Sequence, residues 1–251
     1  MDDILKRLSE KKMGLEEAKE ELRRRFLVTG VSKLDFGRTE RTGVPEIVLG
    51  EGKGAKQIAS ICTSFLEVCG RAIVSRLEPE RVEEVLYGLS GVHREHVYDR
   101  DARLLILRGE KFEHPVRGGK VGFITAGTSD IPIAREGEMI AAELGCEVMA
   151  YYDVGVAGPY RIVSPLQELS EWGADVIVVA AGREGALPTV VSGLVPVPVI
   201  GLPVSTGYGL HGNGETALFA MLQSCSPLLV VNIDAGIIAG AMASKIARQK
   251  T

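Results

Sequence analysis

The sequence predicts an α/β protein in two parts, a smaller N-terminal α/β domain followed by a doubly wound parallel sheet. Three observations carry this. At 251 residues the chain is long enough for a well-buried core and for one or two domains. From Lys120 onward, short β-branched runs bounded by glycine alternate with helical segments. That is the pattern of strands buried on both faces and covered by helices. Just before them, Glu113-His114-Pro115-Val116-Arg117-Gly118-Gly119-Lys120 is rich in turn residues. It divides the chain into residues 1–115, a helical arm with a small α/β domain, and residues 116–251, the domain expected to carry the chemistry.

Taken in order, residues 2–25 read as one or two charged helices with a break near Met13-Gly14. Leu5, Leu8, Leu15, Ala18 and Leu22 recur at helical spacing and form a face that packs on a partner surface. Residues 33–46 are polar and irregular and read as a solvated loop, although Lys33, Arg38 and Arg41, set among acids and glycines, also suit an anion. A small α/β unit follows: strand 47–49, helix 55–68, strand 72–74, helix 79–89 and strand 103–107. It has no phosphate-loop signature and fits substrate covering or subunit contact better than catalysis. In the second part, strands are expected at 121–125, 147–152, 176–180, 197–201 and 228–232, with helices between and a last helix at 236–247. Connections should be right-handed, and the ligand crevice should lie at the carboxyl ends of the strands. Ala235, Gly236, Ala239, Gly240, Ala241 and Ala243 of the last helix suit close approach by a neighbouring subunit.

Composition narrows the partners. The formal net charge of -4 gives no basic footprint for nucleic acid and no polybasic membrane patch. Any phosphate must therefore be held locally, by backbone amides and a few placed cations. The acidic start, Met1-Asp2-Asp3, lacks the apolar core of a signal peptide, and no uncharged apolar run reaches spanning length. The four cysteines, 62, 69, 146 and 225, include no Cys-x-x-Cys pair and no close histidine, so free thiols in a reducing cytoplasm are expected.

The candidate chemistry sits at strand ends. After the first strand come Gly127, Thr128, Ser129 and Asp130. Gly127 lets a ligand approach the backbone, free amides at a helix start bind phosphate, and Ser129 or Asp130 can equally be plain helix caps. After the second come Asp153, for a ribose hydroxyl or a metal, and Arg161, for a phosphate. After the third, Glu184 is either a proton acceptor raised by burial or a partner of the next helix dipole. A glycine-rich loop, Ser205 to Gly214, includes Tyr208 as a candidate substrate contact. Cys225 is flanked by Gln223, Ser224 and Ser226, a polar setting for a nucleophile, whereas free cysteine is more often an inert buried residue. It precedes its strand, which sets it at the sheet edge opposite Gly127 and Glu184.

Together these residues resemble a known family. Lys120 to Lys245 resembles the PurE-like carboxylase/mutase domain, a flavodoxin-like three-layer fold. Gly127-Thr128-Ser129-Asp130 stands where that group carries its phosphate-binding Gly-Ser-x-Ser-Asp. The whole chain is similar to the LarB family, the pyridinium-3,5-biscarboxylic acid mononucleotide synthases of nickel-pincer cofactor biosynthesis. The matching stretches are 35–46, 127–130, 153–161, 181–188, 203–209 and 221–234. The resemblance implies a substrate, nicotinic acid adenine dinucleotide, carboxylated on its pyridinium ring by carbon dioxide and then hydrolysed to release AMP, with Mg2+ assisting. It implies Cys225 as covalent nucleophile and Glu184 as base. Gly127, Thr128, Ser129, Asp130, Asp153, Arg161, Arg38, Arg41 and Tyr208 are then substrate contacts, and the homo-oligomer has shared sites. Two positions depart from the pattern: Tyr160 and Gly37 stand where histidines are expected before Arg161 and Arg38. The rival readings are a carboxyaminoimidazole ribonucleotide mutase and a non-catalytic nucleotide-binding module.

Overall fold

A computed structural model describes residues 2–18, 26–29, 32–89, 91–115, 118–206 and 212–249. The chain forms two compact units, Met1–Glu113 and His114–Thr251.

The first unit begins with helix α1 (Asp2–Ser9), which ends in a turn where Lys11 adopts a left-handed conformation. Ile4, Met13 and Ala18 close into a small apolar cluster with Leu8 against it. Leu15, expected on the same face, is 58% exposed, because residues 10–14 break the helix and reset its phase. The side chains of Leu5 and Leu22 lie outside the described residues. Strands β1 (Phe26–Thr29) and β2 (Ser32–Asp35) form an antiparallel hairpin. Helix α2 (Arg38–Thr42) follows. The expectation of an irregular solvated loop over 33–46 is therefore wrong. Leu34 and Phe36 are buried, and Phe36 meets Phe65 edge-on at 5.1 Å. Arg41 donates to both carboxylate oxygens of Asp35, and the Asp35 amide donates to Glu46 at 2.7 Å. Two buried apolar side chains in a charged stretch were enough to order it.

The remaining elements are β3 (Val48–Leu49), α3 (Ala55–Cys69), β4 (Arg71–Ser75), α4 (Pro79–Gly88), β5 (Glu95–Asp99) and β6 (Leu104–Arg108). They form a sheet in the order β3-β4-β6-β5, parallel only between β3 and β4. β5 is missing from the sequence reading. As an edge strand with exposed Glu95, His96 and Val97, it shows no buried face to reveal itself. α3 lays Ile58, Ile61, Cys62, Phe65 and Leu66 on the sheet. It stops at Gly70, where φ is +69° and a Cβ would lie 2.5 Å from the Lys111 backbone.

The second unit contains β7 (Lys120–Thr125), α5 (Ile131–Glu143), β8 (Glu147–Tyr151), α6 (Val163–Trp172) and β9 (Val176–Ala181). After them come α7 (Leu187–Ser192), β10 (Val199–Pro203), α8 (Glu215–Leu222), β11 (Leu229–Val230) and α9 (Gly236–Ala247). The five strands run in the order β11-β10-β9-β7-β8, every neighbouring pair parallel. α5 and α9 cover one face through Ala134, Ala141, Ala239 and Ala243. α6, α7 and α8 cover the other through Leu166, Leu169, Leu187, Val191 and Met221. β9 is buried along its whole length, as its unbroken apolar run requires. β10 begins two residues later than expected, since Pro196 and Pro198 have no N–H to give a ladder.

The small residues of α9 are not left for a neighbouring subunit. Gly236, Ala239, Gly240 and Ala243 are buried against α5 of the same chain. A Cβ at Gly240 would lie 2.2 Å from the Gly137 carbonyl oxygen, and one at Gly236 would lie 2.1 Å from that of Ile133. Glycine at both positions lets the two helix backbones touch.

Candidate functional site

The chain leaves β7 to one side of the sheet, toward β8, and returns to the other side at β9. Loops at such a switch diverge and leave a crevice beyond the strand ends. Here it is a cavity of about 210 Å³ lined by Ala126, Gly127, Ser129 and Asp130 after β7, residues 155–157 after β8, 181–187 after β9, and Thr206 after β10. A dinucleotide needs more room than that, since ligand pockets run to roughly 300–1,000 Å³. The volume fits a phosphate and part of a sugar.

Asp130 lies at the centre. It is only 3% exposed, and its carboxylate accepts the Gly127 N–H at 2.8 Å and the Thr206 hydroxyl at 3.3 Å. The Gly182 backbone N–H also favours its charged form. Burial pushes the Asp130 carboxyl above the usual carboxylate range. The three donors hold it down, and the neighbouring Glu184 charge adds to the rise. Neither Ser129 nor Asp130 caps α5 through its side chain. The carboxylate turns back to Gly127 instead, so the Gly127 amide is taken. The amides of Thr128 and Ser129 open a short 3-10 turn that leads into α5, where first-turn amides have no intrahelical partner. A Cβ at Gly127 would meet nothing closer than 3.6 Å, so the protein itself does not require glycine there.

The β8 end supplies Asp153, held left-handed at φ +58°. The buried Thr125 hydroxyl accepts its amide at 3.2 Å, and Arg161 faces its carboxylate at 3.6 Å. Tyr160 beside it is 75% exposed. At the β9 end Glu184 is exposed on the cavity wall. The next residue, Gly185, has φ +61° and a would-be Cβ 2.6 Å from Ala217 Cα, which fixes the loop against α8.

Cys225 is elsewhere. It is exposed, in a turn where the Ser224 hydroxyl bonds both the Ser226 N–H and its carbonyl. This turn precedes β11, whose Leu229 is level with Ile200 and hence with Val178 near the start of β9. Glu184 follows the end of β9. At about 3.3 Å per residue, the stretch of β9 from Val178 to Ala181 alone separates them by on the order of 10 Å. Arg38 and Arg41 belong to the first unit, and Arg41 is committed to Asp35. Tyr208 lies outside the described residues. Burial pushes the Cys62 thiol up to about 12 and raises those of Cys69 and Cys146. The sequence reading missed Thr125 and Thr206. Their only signal was a hydroxyl at or just past a strand end.

The AIR carboxylase family model matches residues 120–251, the whole parallel-sheet unit except its first turn. The chain belongs to the AIR carboxylase family. The model of the LarB/PurE-like N-terminal domain matches residues 26–110, so this member of the family has a LarB-type architecture. An uncharacterized protein of Methanocaldococcus jannaschii is 40% identical over 86% of this chain and 84% of its own length. An N5-carboxyaminoimidazole ribonucleotide mutase of Thermotoga maritima is 30% identical over 51% of this chain and 74% of its own. A phosphoribosylaminoimidazole carboxylase of Candida albicans is 26% identical over 72% of this chain and 34% of its own. In this AIR carboxylase family member, no described helix is long and apolar enough to cross a membrane. Among the described residues, no three His, Cys, Asp or Glu side chains converge as a metal cluster.

Proposed function

We propose that this protein carboxylates the pyridinium ring of nicotinic acid adenine dinucleotide and cleaves its phosphoanhydride, releasing AMP and pyridinium-3,5-biscarboxylic acid mononucleotide. The observation that carries the reading is the pairing of one cavity with one domain. The Gly127–Asp130 turn and Glu184 share a phosphate-sized cavity, in a chain that also has the LarB/PurE-like N-terminal domain.

The residues fit the chemistry in sequence. A pyridinium ring is electron-poor and does not attack carbon dioxide. The Cys225 thiolate adds to a ring carbon, forming a C–S bond and moving the ring electrons onto nitrogen, so the ring carbon beside it becomes nucleophilic. That carbon bonds carbon dioxide. Glu184 takes the ring proton from the same carbon, and the C–S bond breaks to regenerate thiolate and an aromatic ring. Water then adds to the phosphoanhydride and AMP leaves. Thr128 and Ser129 amides with Arg161 are the phosphate ligands of this reading, Asp153 the sugar ligand, and Arg38, Arg41 and Tyr208 further dinucleotide contacts. Mg2+ needs only one or two carboxylates plus substrate phosphates; Glu184, exposed on the cavity wall, would be the acid that holds it, and the ion would supply charge neutralisation on the phosphates. Because Cys225 and Glu184 lie at opposite sheet edges, the reaction takes Cys225 from one copy of the chain and Glu184 from another.

Carboxyl migration on an aminoimidazole ribonucleotide, the activity named in the Thermotoga maritima relative, is the second reading. It calls for a histidine where Tyr160 stands, and it makes no use of a thiol. The test is incubation of the full chain with the dinucleotide, Mg2+ and labelled bicarbonate, followed by mass analysis. AMP and a labelled dicarboxylated mononucleotide are expected. Turnover of the aminoimidazole ribonucleotide instead selects the mutase, and stoichiometric binding without turnover selects a binding module.

A further inference from the structure

β9 leads toward α7 through a tight turn closed by the Gly185 N–H on the Gly182 carbonyl oxygen at 2.9 Å. Arg183 and Glu184 are its two central residues, both exposed, and both line the cavity at the strand ends. Arg183 is held at φ +26°, on the left-handed side that favours glycine at the first central position of a turn. A bulky side chain kept at a backbone position that disfavours it calls for a use of that side chain. Its charge supplies one. Among the described residues the cavity is lined by three charged side chains, Asp130, Glu184 and Arg183, so Arg183 is its one cation. Arg161 stands outside that lining and faces Asp153.

We propose that Arg183 is a specificity-determining residue: it pairs with the carboxylate on the pyridinium ring and so selects the acid over the amide dinucleotide. The inference rests on the proposed function, in which Glu184 removes the ring proton. Arg183, next to that base in the same turn, stands at the ring end of the substrate, while the Thr128 and Ser129 amides take phosphate. A guanidinium presents two parallel N–H groups that match both oxygens of a carboxylate. A carboxamide has one oxygen to accept with and turns its own NH2 toward the other N–H, so one hydrogen bond and the charge attraction are lost. The acid form also brings a negative charge toward a wall that carries Asp130 and Glu184. Without the cation, those two groups would favour the amide.

The test is calorimetric binding of nicotinic acid adenine dinucleotide and of nicotinamide adenine dinucleotide, without bicarbonate or Mg2+. It compares the full-length protein with Arg183→Gln, Arg183→Gly and Arg183→Lys. Glycine suits the backbone at this position, so Arg183→Gly removes the charge and keeps the turn. The wild type should prefer the acid by about tenfold or more. Arg183→Gln and Arg183→Gly should lose that preference through weaker binding of the acid, with the amide changed by less than about threefold. Arg183→Lys keeps the charge without the paired N–H geometry and should recover part of the preference. A preference within about twofold of the wild type's in both Arg183→Gln and Arg183→Gly overturns the inference, since the pairing would then contribute almost nothing. Equal weakening of both ligands also overturns it, because it marks a contact to phosphate. A wild type that binds both dinucleotides equally well overturns the inference and leaves the functional reading standing. A wild type that binds neither removes the functional reading, and the inference with it.

Discussion

Substituting Gly240 by alanine probes the contact that holds α9 against α5. The added Cβ would lie 2.2 Å from the Gly137 carbonyl oxygen and 2.7 Å from Gly137 Cα. Ordinary contact is near 3.5 Å, so the helices must part by roughly 1 Å. Both obstacles are backbone atoms, so no side chain can swing aside. Overpacking of this kind costs about 1–3 kcal/mol, and the rigid neighbour argues for the upper end. Alanine returns about 1 kcal/mol through its better helix propensity. The net loss is about 2 kcal/mol, or a fall of about 4–8 °C in the Tm of the unit at roughly 2–4 °C per kcal/mol. The assay is thermal unfolding followed by fluorescence of Trp172, the chain's single tryptophan, which lies in α6 of this unit. Its ring packs under Lys120 at 5.4 Å, so the signal reports on the sheet. Met242→Ala, on the exposed side of α9, should change stability by less than about 0.5 kcal/mol. A Gly240→Ala protein as stable as the wild type, or more so, would refute the backbone-contact argument.

Two further outcomes follow from the sheet geometry. Cys225→Ala should abolish incorporation of labelled carbon dioxide, while Cys62→Ala, Cys69→Ala and Cys146→Ala retain it; wild-type incorporation in Cys225→Ala would remove the thiol from the mechanism. Cys62 should be changed to alanine and not serine, because a buried hydroxyl without a partner costs about 1–3 kcal/mol at a fully buried site. Mixing inactive Cys225→Ala with inactive Glu184→Gln after subunit exchange should recover part of the activity, since some sites then receive both intact residues. No recovery, with exchange demonstrated by mass, would rule out a site shared between copies.

Much of this was readable in the chain because of where its apolar residues fall. The strands of the parallel sheet are short β-branched runs between glycines, and burial on both faces leaves such runs few other structures. α9 was legible to the residue, Gly236 to Ala247. The meaning of its small face was not, because Gly240 meets Gly137 across more than a hundred residues. β5 escaped notice because a polar edge strand carries little periodicity, and the β1–β2 hairpin because each of its strands is only four residues long. At the site, the strand-end rule set Gly127, Asp130 and Glu184 in one crevice. It could not reveal the Asp130 bond to Thr206, a partner 76 residues away.

The most direct test of the mechanism is intact-protein mass spectrometry of Glu184→Gln after incubation with nicotinic acid adenine dinucleotide, Mg2+ and bicarbonate. Without the base, the ring proton stays on and the thiol cannot leave. The account predicts a covalent adduct that accumulates and maps by peptide analysis to Cys225. Absence of any adduct while dinucleotide is bound, or an adduct on Cys69 with Cys225 free, would contradict it.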